Sequence, residues 1–234
     1  MKLAGKVMIV TGASSGIGEA TARLAHRQGA RLVLAARRAD LLANLAEELR
    51  GALAVPTDVT SAAAIGALRD RALAEFGTVD VLVNNAGQGL HVALMEVKQG
   101  DFQAVWQLNV MAPLALMQAV VPTMAAQGSG AIVNVSSGTS LRVIPGLGAY
   151  AATKAALNMI SQIARAEFAD QGVVVSLVYP GITDTEFHQS LRAGRRPSAS
   201  GGMYAAPREA VAEVIVAVIG SGAAEAQVPR PAKT

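Results

Sequence analysis

VMIVTGASSGIG, residues 7–18, is a short apolar run that breaks into a glycine-rich turn and then opens a helix. Residues 7–10 are too few for a buried helix and read as a strand. Gly12, Gly16 and Gly18 follow it, and the pattern through residue 28 is helical, with Gly29 as its stop. Glycines at a strand-to-helix turn let the backbone come close to a pyrophosphate. The helix start adds N–H donors and the positive end of its dipole. The spacing is G-x-x-x-G-x-G rather than the G-x-G-x-x-G of the common dinucleotide turn. A glycine turn by itself is only a tight connection; a strand before it and a helix after it favour phosphate binding.

The same alternation continues along the chain. Strands are expected at residues 31–35, 52–55, 79–83, 131–135 and 173–178, and helices at 38–50, 61–76, 101–127, 149–171 and 207–219. Pro113 should kink the helix over 101–127. The tail after residue 223 has room for a very short last strand. Apolar strands alternating with longer helices predict an α/β fold built on a parallel sheet. Neither an interdomain linker nor an internal repeat is visible, so residues 1–234 are read as a single domain. Residues 183–206, including RAGRRPSASGGM, read as a substrate-binding loop, mobile without ligand and hinged at Gly194, Gly201 and Gly202.

Composition narrows the classes. The chain has 52% hydrophobic and 16% charged residues, no cysteine and a formal net charge of +3. Disulfides and thiolate metal sites are excluded, and the three scattered histidines suggest no metal centre. Basic residues are not interleaved with aromatics, which argues against nucleic acid. Pro113, Gln118 and Pro122 interrupt the apolar stretch 110–126, which argues against a membrane span. The start of the chain does not resemble a signal peptide, and a cytoplasmic location is expected.

Tyr150 and Lys154 lie in GLGAYAATKAAL at helical i, i+4 spacing. An ammonium beside a phenol favours the phenolate and lowers the pKa from about 10. Such a tyrosine exchanges a proton with a carbonyl or alcohol oxygen near neutral pH. Ser137 lies thirteen residues upstream.

Five motifs in order, TGASSGIG (11–18), NNAG (84–87), Ser137, Tyr150 with Lys154, and Pro180-Gly181, resemble the classical short-chain dehydrogenase/reductase family. The resemblance runs from about residue 3 to residue 219. It implies one Rossmann-like doubly wound domain, with a sheet of seven parallel strands and helices on both faces. It implies that Gly12, Gly16 and Gly18 line the cofactor phosphates, with Ser14, Ser15 and Ile17 close by. Asp58 would meet the adenine, and Asn84, Ala86 and Gly87 the adenosine ribose. Pro180, Gly181, Ile182 and Thr185 would hold the nicotinamide. Asn109, Ser137, Tyr150 and Lys154 would form the catalytic tetrad: Tyr150 as acid, Ser137 on the substrate oxygen, Lys154 on Tyr150 and the ribose, Asn109 on a water relay. At this stage Asp58 serves equally as a helix cap, 84–87 as a structural turn, and Asn109 as a polar residue at a helix irregularity. Ser136 competes with Ser137, and the family's spacing selects Ser137.

The second strand ends LVLAARRAD, with no carboxylate before Asp40. An acid here binds the ribose hydroxyls of NAD, whereas an arginine accommodates the 2′-phosphate of NADP. NADP(H) is therefore expected over NAD(H). Arg37 is the expected phosphate ligand, and Arg38 is a second candidate that a solvent-exposed helix start explains as well. Ser15 stands where many NADP-preferring relatives carry a basic residue. The implied partner is a small carbonyl or alcohol substrate, met by Leu90, Phe187 and Leu191 together with Ser137 and Tyr150. His91 and His188 are expected at the surface or in the pocket wall. A homotetramer or homodimer is expected through apolar residues of the helices at 101–127 and 149–171: Leu114, Leu116, Met117, Val120, Val121, Leu157, Met159, Ile160 and Ile163. A silent nucleotide-binding regulator on the same fold is the competing reading, against which all four tetrad residues are present.

Overall fold

The computed structural model describes residues 1–195 and 205–229. The elements follow in chain order: β1 (Val7–Thr11), α1 (Gly16–Arg27), β2 (Arg31–Ala36), α2 (Ala39–Glu48), β3 (Leu53–Pro56), α3 (Ala62–Phe76) and β4 (Val81–Asn84). Next come β5 (Leu90–His91), α4 (Gln99–Trp106), α5 (Ala112–Ala126), β6 (Gly130–Val135), α6 (Gly148–Glu167) and β7 (Val173–Tyr179). The chain closes with β8 (Ala193–Gly194), α7 (Arg208–Ser221) and β9 (Glu225–Gln227).

Seven strands form one parallel sheet in the order β3-β2-β1-β4-β6-β7-β9. The chain winds outward from β1 to β3, then returns past β1 to β4 and winds the other way. The loops after β1 and β4 therefore diverge, and a crevice opens at their carboxyl ends. That is where ligands sit in open α/β sheets.

Alternation along each strand explains the two helical layers. Met8, Val10, Leu32, Leu34, Val81 and Val83 face one side and pack with Ala22, Ala25, Leu42, Leu45, Val211 and Ile215. Val7, Ile9, Val33, Leu82, Ile132 and Val175 face the other and pack with Ile65, Leu68, Leu116, Met117, Val120 and Met124. Burial on both faces is why the strands read as unbroken apolar runs. The helical run Gln99–Ala126 is apolar and long enough to cross a bilayer by length and composition, and an 18-residue window within it has mean hydropathy 1.5. Its sheet-facing residues are core, which accounts for that apolarity.

Three elements differ from the sequence reading. The helix expected over 101–127 is two helices joined by a π turn at Gln107–Met111. Pro113 has no N–H to give the carbonyl of Asn109, so an unbroken α ladder is impossible there. The chain answers with a wider turn, in which the N–H of Ala112 reaches the carbonyl of Gln107. Second, β5 and β8 make a small parallel pair, Leu90 with Ala193 and His91 with Gly194. Third, residues 183–195 are held down. The N–H of Arg192 donates to Gly89 O (2.8 Å), Gln88 Nε2 to Ser190 O (2.7 Å) and the N–H of Asp184 to Ala206 O (3.0 Å). Arg192 also pairs with Asp101 at 2.7 Å. The expected hinges Gly201 and Gly202, with Ser198 and Met203, lie outside the described residues.

Candidate active site

The glycine turn is interlocked with the loop after β4. Gly12 has φ +65°, and a Cβ there would lie 2.8 Å from Asn85 Nδ2; one on Gly18 would lie 2.6 Å from the same atom. Asn85 Nδ2 donates to the carbonyls of Thr11 (2.9 Å) and Gly12 (3.3 Å). Thr11 Oγ1 accepts from the N–H groups of Asn85 (3.0 Å) and Ala86 (3.1 Å) and donates to Val83 O (3.1 Å). The bare backbone beside the start of α1 is the cradle a dinucleotide phosphate needs. A cavity of about 790 Å³ opens at Ser14, Ser15 and Gly16, bordered by Thr185 and Glu186.

Arg38, not Arg37, lies over this turn. Its guanidinium donates to Ser14 Oγ (3.2 Å) and Ser15 Oγ (2.6 Å) and pairs with Glu186 at 3.2 Å. Arg37 is exposed and acts on Asp58, whose carboxyl is held below the usual range mainly by hydrogen bonds from Thr60 and to a lesser degree by Arg37. The carboxylate accepts from Thr60 N–H (3.0 Å) and Oγ1 (2.7 Å). Asp58 is therefore not the helix cap; Ser61 is, accepting from Ala64 N–H at 3.3 Å. The two arginines flank the end of β2, and the face each takes was not readable from the doublet.

The side chain of Asn84 is committed elsewhere. It is buried and donates to Asn134 Oδ1 at 2.8 Å, across the paired strands β4 and β6. Only the backbone of Asn84 remains for a ligand, and its neighbour Asn85 ties the glycine turn. The doubled asparagine was the available signal, and alternation assigns one to the core and one to the loop. Ala86 and Gly87 are half-buried beyond it. A Cβ on Gly87 would lie 3.2 Å from Asn109 Oδ1 and 3.6 Å from Lys154 Nζ, so these two side chains meet at Gly87.

Asn109 is fully buried in the π turn. Its Oδ1 accepts from Gln88 N–H (3.0 Å), and its Nδ2 donates to Gln88 O (2.9 Å) and Thr153 Oγ1 (3.1 Å). The side chain thus clamps the loop after β4 to α6. Lys154 Nζ donates to Val135 O at 2.8 Å, and burial pulls its pKa down to about 8. Tyr150 is 6% exposed. Burial pushes its phenol up to about 12, and the Ser137 hydroxyl, hydrogen-bonded to it, works in the opposite direction. The expectation that Lys154 holds this phenol below 10 is not met: desolvation dominates, and Ser137 rather than Lys154 opposes it.

Ser137 and Ser136 separate as alternation requires. Ser136 turns to Asn158 on α6. Ser137 faces Tyr150 and accepts from Thr139 N–H (3.2 Å) and Oγ1 (2.9 Å). Pro180 O accepts from Gly138 N–H at 2.8 Å, which brings the segment after β7 beside Ser137. Thr185 reaches the glycine turn, where a Cβ on Gly16 would lie 3.1 Å from its methyl. Gly181 is exposed and Ile182 half-buried between them.

Aromatic rings crowd Tyr150. The ring centroid of Phe187 is 5.8 Å away and that of His91 5.9 Å; His188 stands 5.7 Å from His91. Leu191 packs over Gly89, where a Cβ would lie 2.6 Å from its methyl. Leu90 is not a wall residue. It is fully buried with Val105 and Ala149, and the alternation of β5 presents His91 instead.

Comparison with known proteins agrees with this geometry. The family model described as short chain dehydrogenase matches residues 6–196. An uncharacterized oxidoreductase of Staphylococcus aureus is 39% identical over 185 residues, 78% of this chain and 80% of that protein. A short chain dehydrogenase/reductase from Burkholderia phymatum in complex with NAD superposes with a TM-score of 0.88 at 29% identity, over 97% of this chain and 90% of the other. A metagenomic short-chain oxidoreductase in complex with NADP gives 0.81 at 33% identity, over 97% and 98%.

Proposed function

Because the chain belongs to the short-chain dehydrogenase family, we propose that it moves a hydride between NADP(H), in preference to NAD(H), and a carbonyl or secondary alcohol. The observation that carries this reading is the pairing of Ser137 with the buried Tyr150 phenol at the carboxyl end of β6, with Lys154 anchored on Val135 O. The glycine turn at the start of α1 leaves bare backbone for a dinucleotide phosphate, and Asn85 packs so closely against Gly12 and Gly18 that neither could carry a Cβ. The dinucleotide, when bound, supplies or accepts the hydride.

The chain's own residues handle the proton. In reduction Tyr150 Oη gives its proton to the substrate oxygen, and in oxidation its phenolate takes the proton from the alcohol. Ser137 donates to whichever oxygen carries the developing negative charge. The burial of Tyr150 keeps water from competing for that proton. Lys154 supplies positive charge next to the phenol, and Asn109 positions the Gln88 segment facing Lys154. The NADP preference rests on the end of β2. Arg37 and Arg38 stand there, and a guanidinium matches a phosphate with a two-pronged hydrogen bond.

The test is turnover of an aldehyde and ketone panel with NADPH and with NADH. Faster reduction with NADPH, lost in Tyr150→Phe, is the expected result. Cofactor binding without reduction or oxidation of any panel member would overturn the reading.

A further inference from the structure

The wall opposite Tyr150 carries a polar group that the proposed hydride transfer does not use. His91 is mounted rigidly. It sits on the two-residue strand β5, paired with β8, and the N–H of Arg192 closes on Gly89 O at 2.8 Å. Gly194, at φ +87°, lets the two backbones touch: a Cβ there would collide with the carbonyl of His91. The ring lies edge-on to Tyr150 at 5.9 Å between centroids and tilted against His188 at 5.7 Å.

Burial first, and then the imidazole of His188, hold His91 below its ordinary pKa, so the ring is neutral near pH 7. A neutral imidazole has one N–H and one bare acceptor nitrogen. The backbone of Arg195 opposes these two influences and is the weakest of the three. Nδ1 is buried and has no hydrogen-bond partner among the described residues. A buried acceptor left empty beside a reacting centre is costly unless a ligand supplies the donor.

Resting on the hydride-transfer reading above, we propose that His91 is a specificity-determining residue. Its Nδ1 accepts a hydrogen bond from a hydroxyl close to the reacting carbonyl. The favoured substrate is then a hydroxy ketone and, in the other direction, a vicinal diol. Phe187 and Leu191 cover the apolar part of such a molecule. Tyr150 and Ser137 meet the reacting oxygen, and His91 meets the second one.

Hydroxyacetone and butanone have the same heavy-atom count and differ in one hydroxyl, so their ratio of kcat/KM isolates this contact. One hydrogen bond predicts a preference for hydroxyacetone of roughly three- to tenfold, carried mainly by KM. In His91→Phe the ratio falls to near one, and in His91→Asn, which retains an acceptor oxygen, part of it returns. A wild-type ratio near one, or the same ratio in wild type and both variants, overturns the proposal. Should the wild type reduce neither ketone, the hydride-transfer reading fails at this substrate class. The His91 inference is then decided by thermal shift of the NADP⁺-loaded enzyme. Stabilisation by propylene glycol beyond that by secondary butanol, lost in His91→Phe, supports it; equal shifts overturn it.

Discussion

Lys154 is 5% exposed, with one backbone carbonyl as its hydrogen-bond partner, and this makes it a liability to the fold as well as a tool. A pKa held at about 8 rather than 10.5 corresponds to a destabilisation of the charged form on the order of 3 kcal/mol. The folded value is depressed, so between about pH 8 and 10.5 the unfolded chain binds more protons than the folded one. Stability should therefore rise with pH across that window. Lys154→Met is expected to be inactive yet at least as stable at pH 7. Its advantage should shrink as pH rises toward 10.5, as measured by urea unfolding at several pH values. A wild type that loses stability relative to the variant over this window would contradict the burial argument. At Tyr150 the pKa is raised, so the phenol stays protonated through neutral pH and is ready as an acid. Tyr150→Phe should lower turnover by roughly 10²–10⁴-fold while leaving cofactor affinity, measured by fluorescence titration, nearly unchanged. For the 2′-phosphate the geometry shifts the expectation from Arg37 toward Arg38, which already covers Ser14 and Ser15. Arg38→Ala should weaken NADPH far more than NADH, by about 1.5–3 kcal/mol, in paired binding titrations. Equal loss for both cofactors would mean that Arg38 serves only the Glu186 contact.

Among the elements, the short pair β5–β8 has the most effect on the site for its size. Two residues on each strand set the position of His91, and bonds from Arg192 to Gly89 and from Gln88 to Ser190 hold residues 190–194 against the loop after β4. Gly194→Ala would place a Cβ against the His91 carbonyl at a φ that L side chains rarely adopt. A local cost of about 1–3 kcal/mol is expected. It should appear as faster hydrogen exchange at the Arg192 amide and a lower kcat/KM, with little change in cofactor binding. Unchanged protection at Arg192 would show that the pair is not held by that glycine. The π turn works in the same way. Pro113 forbids the regular ladder, and the displaced turn brings Asn109 onto Gln88 and Thr153.

At the scale of the whole molecule, the sheet is buried on both faces and its central strands are the least replaceable part. Ile132 is completely buried, and Ile132→Ala should cost about 2–5 kcal/mol in chemical denaturation. The expectation of association rests on the outer surface. Trp106, Met111, Met159 and Ile163 are exposed on α4, the π turn and α6. These are the exposed apolar residues that a second copy of the chain is expected to cover in a two-fold contact. Light scattering at micromolar concentration should give a dimer or tetramer, and Met159→Glu with Ile163→Glu should shift it to the 23.9 kDa monomer. A wild type that is monomeric under these conditions would end that expectation. Leu116, Met117, Val120, Val121 and Leu157, expected at this interface from the sequence, are instead core residues of the single chain.

Most of the element order, the parallel sheet, the glycine turn and the Tyr150–Lys154 pair were legible in the chain, because each rests on local spacing. Strand runs, helical periods, glycines at a turn and an i, i+4 pair are written within a few residues of one another. Other features were not legible, because they depend on what packs from elsewhere in the fold. An apolar helix does not declare which of its sides meets the sheet, so the interface residues on α5 were misassigned. A doublet of asparagines, arginines or serines does not say which member faces the ligand. Pairing and alternation decide that, and they sent Asn84, Arg37 and Ser136 away from the glycine turn and Tyr150. Leu90 and His91 exchanged roles for the same reason, once β8 arrived from a hundred residues downstream to set the direction of β5. The pKa of Tyr150 lay furthest from the sequence. A lysine four residues away suggests a lowered value, whereas burial pushes it up, and burial is a property of the tertiary structure alone.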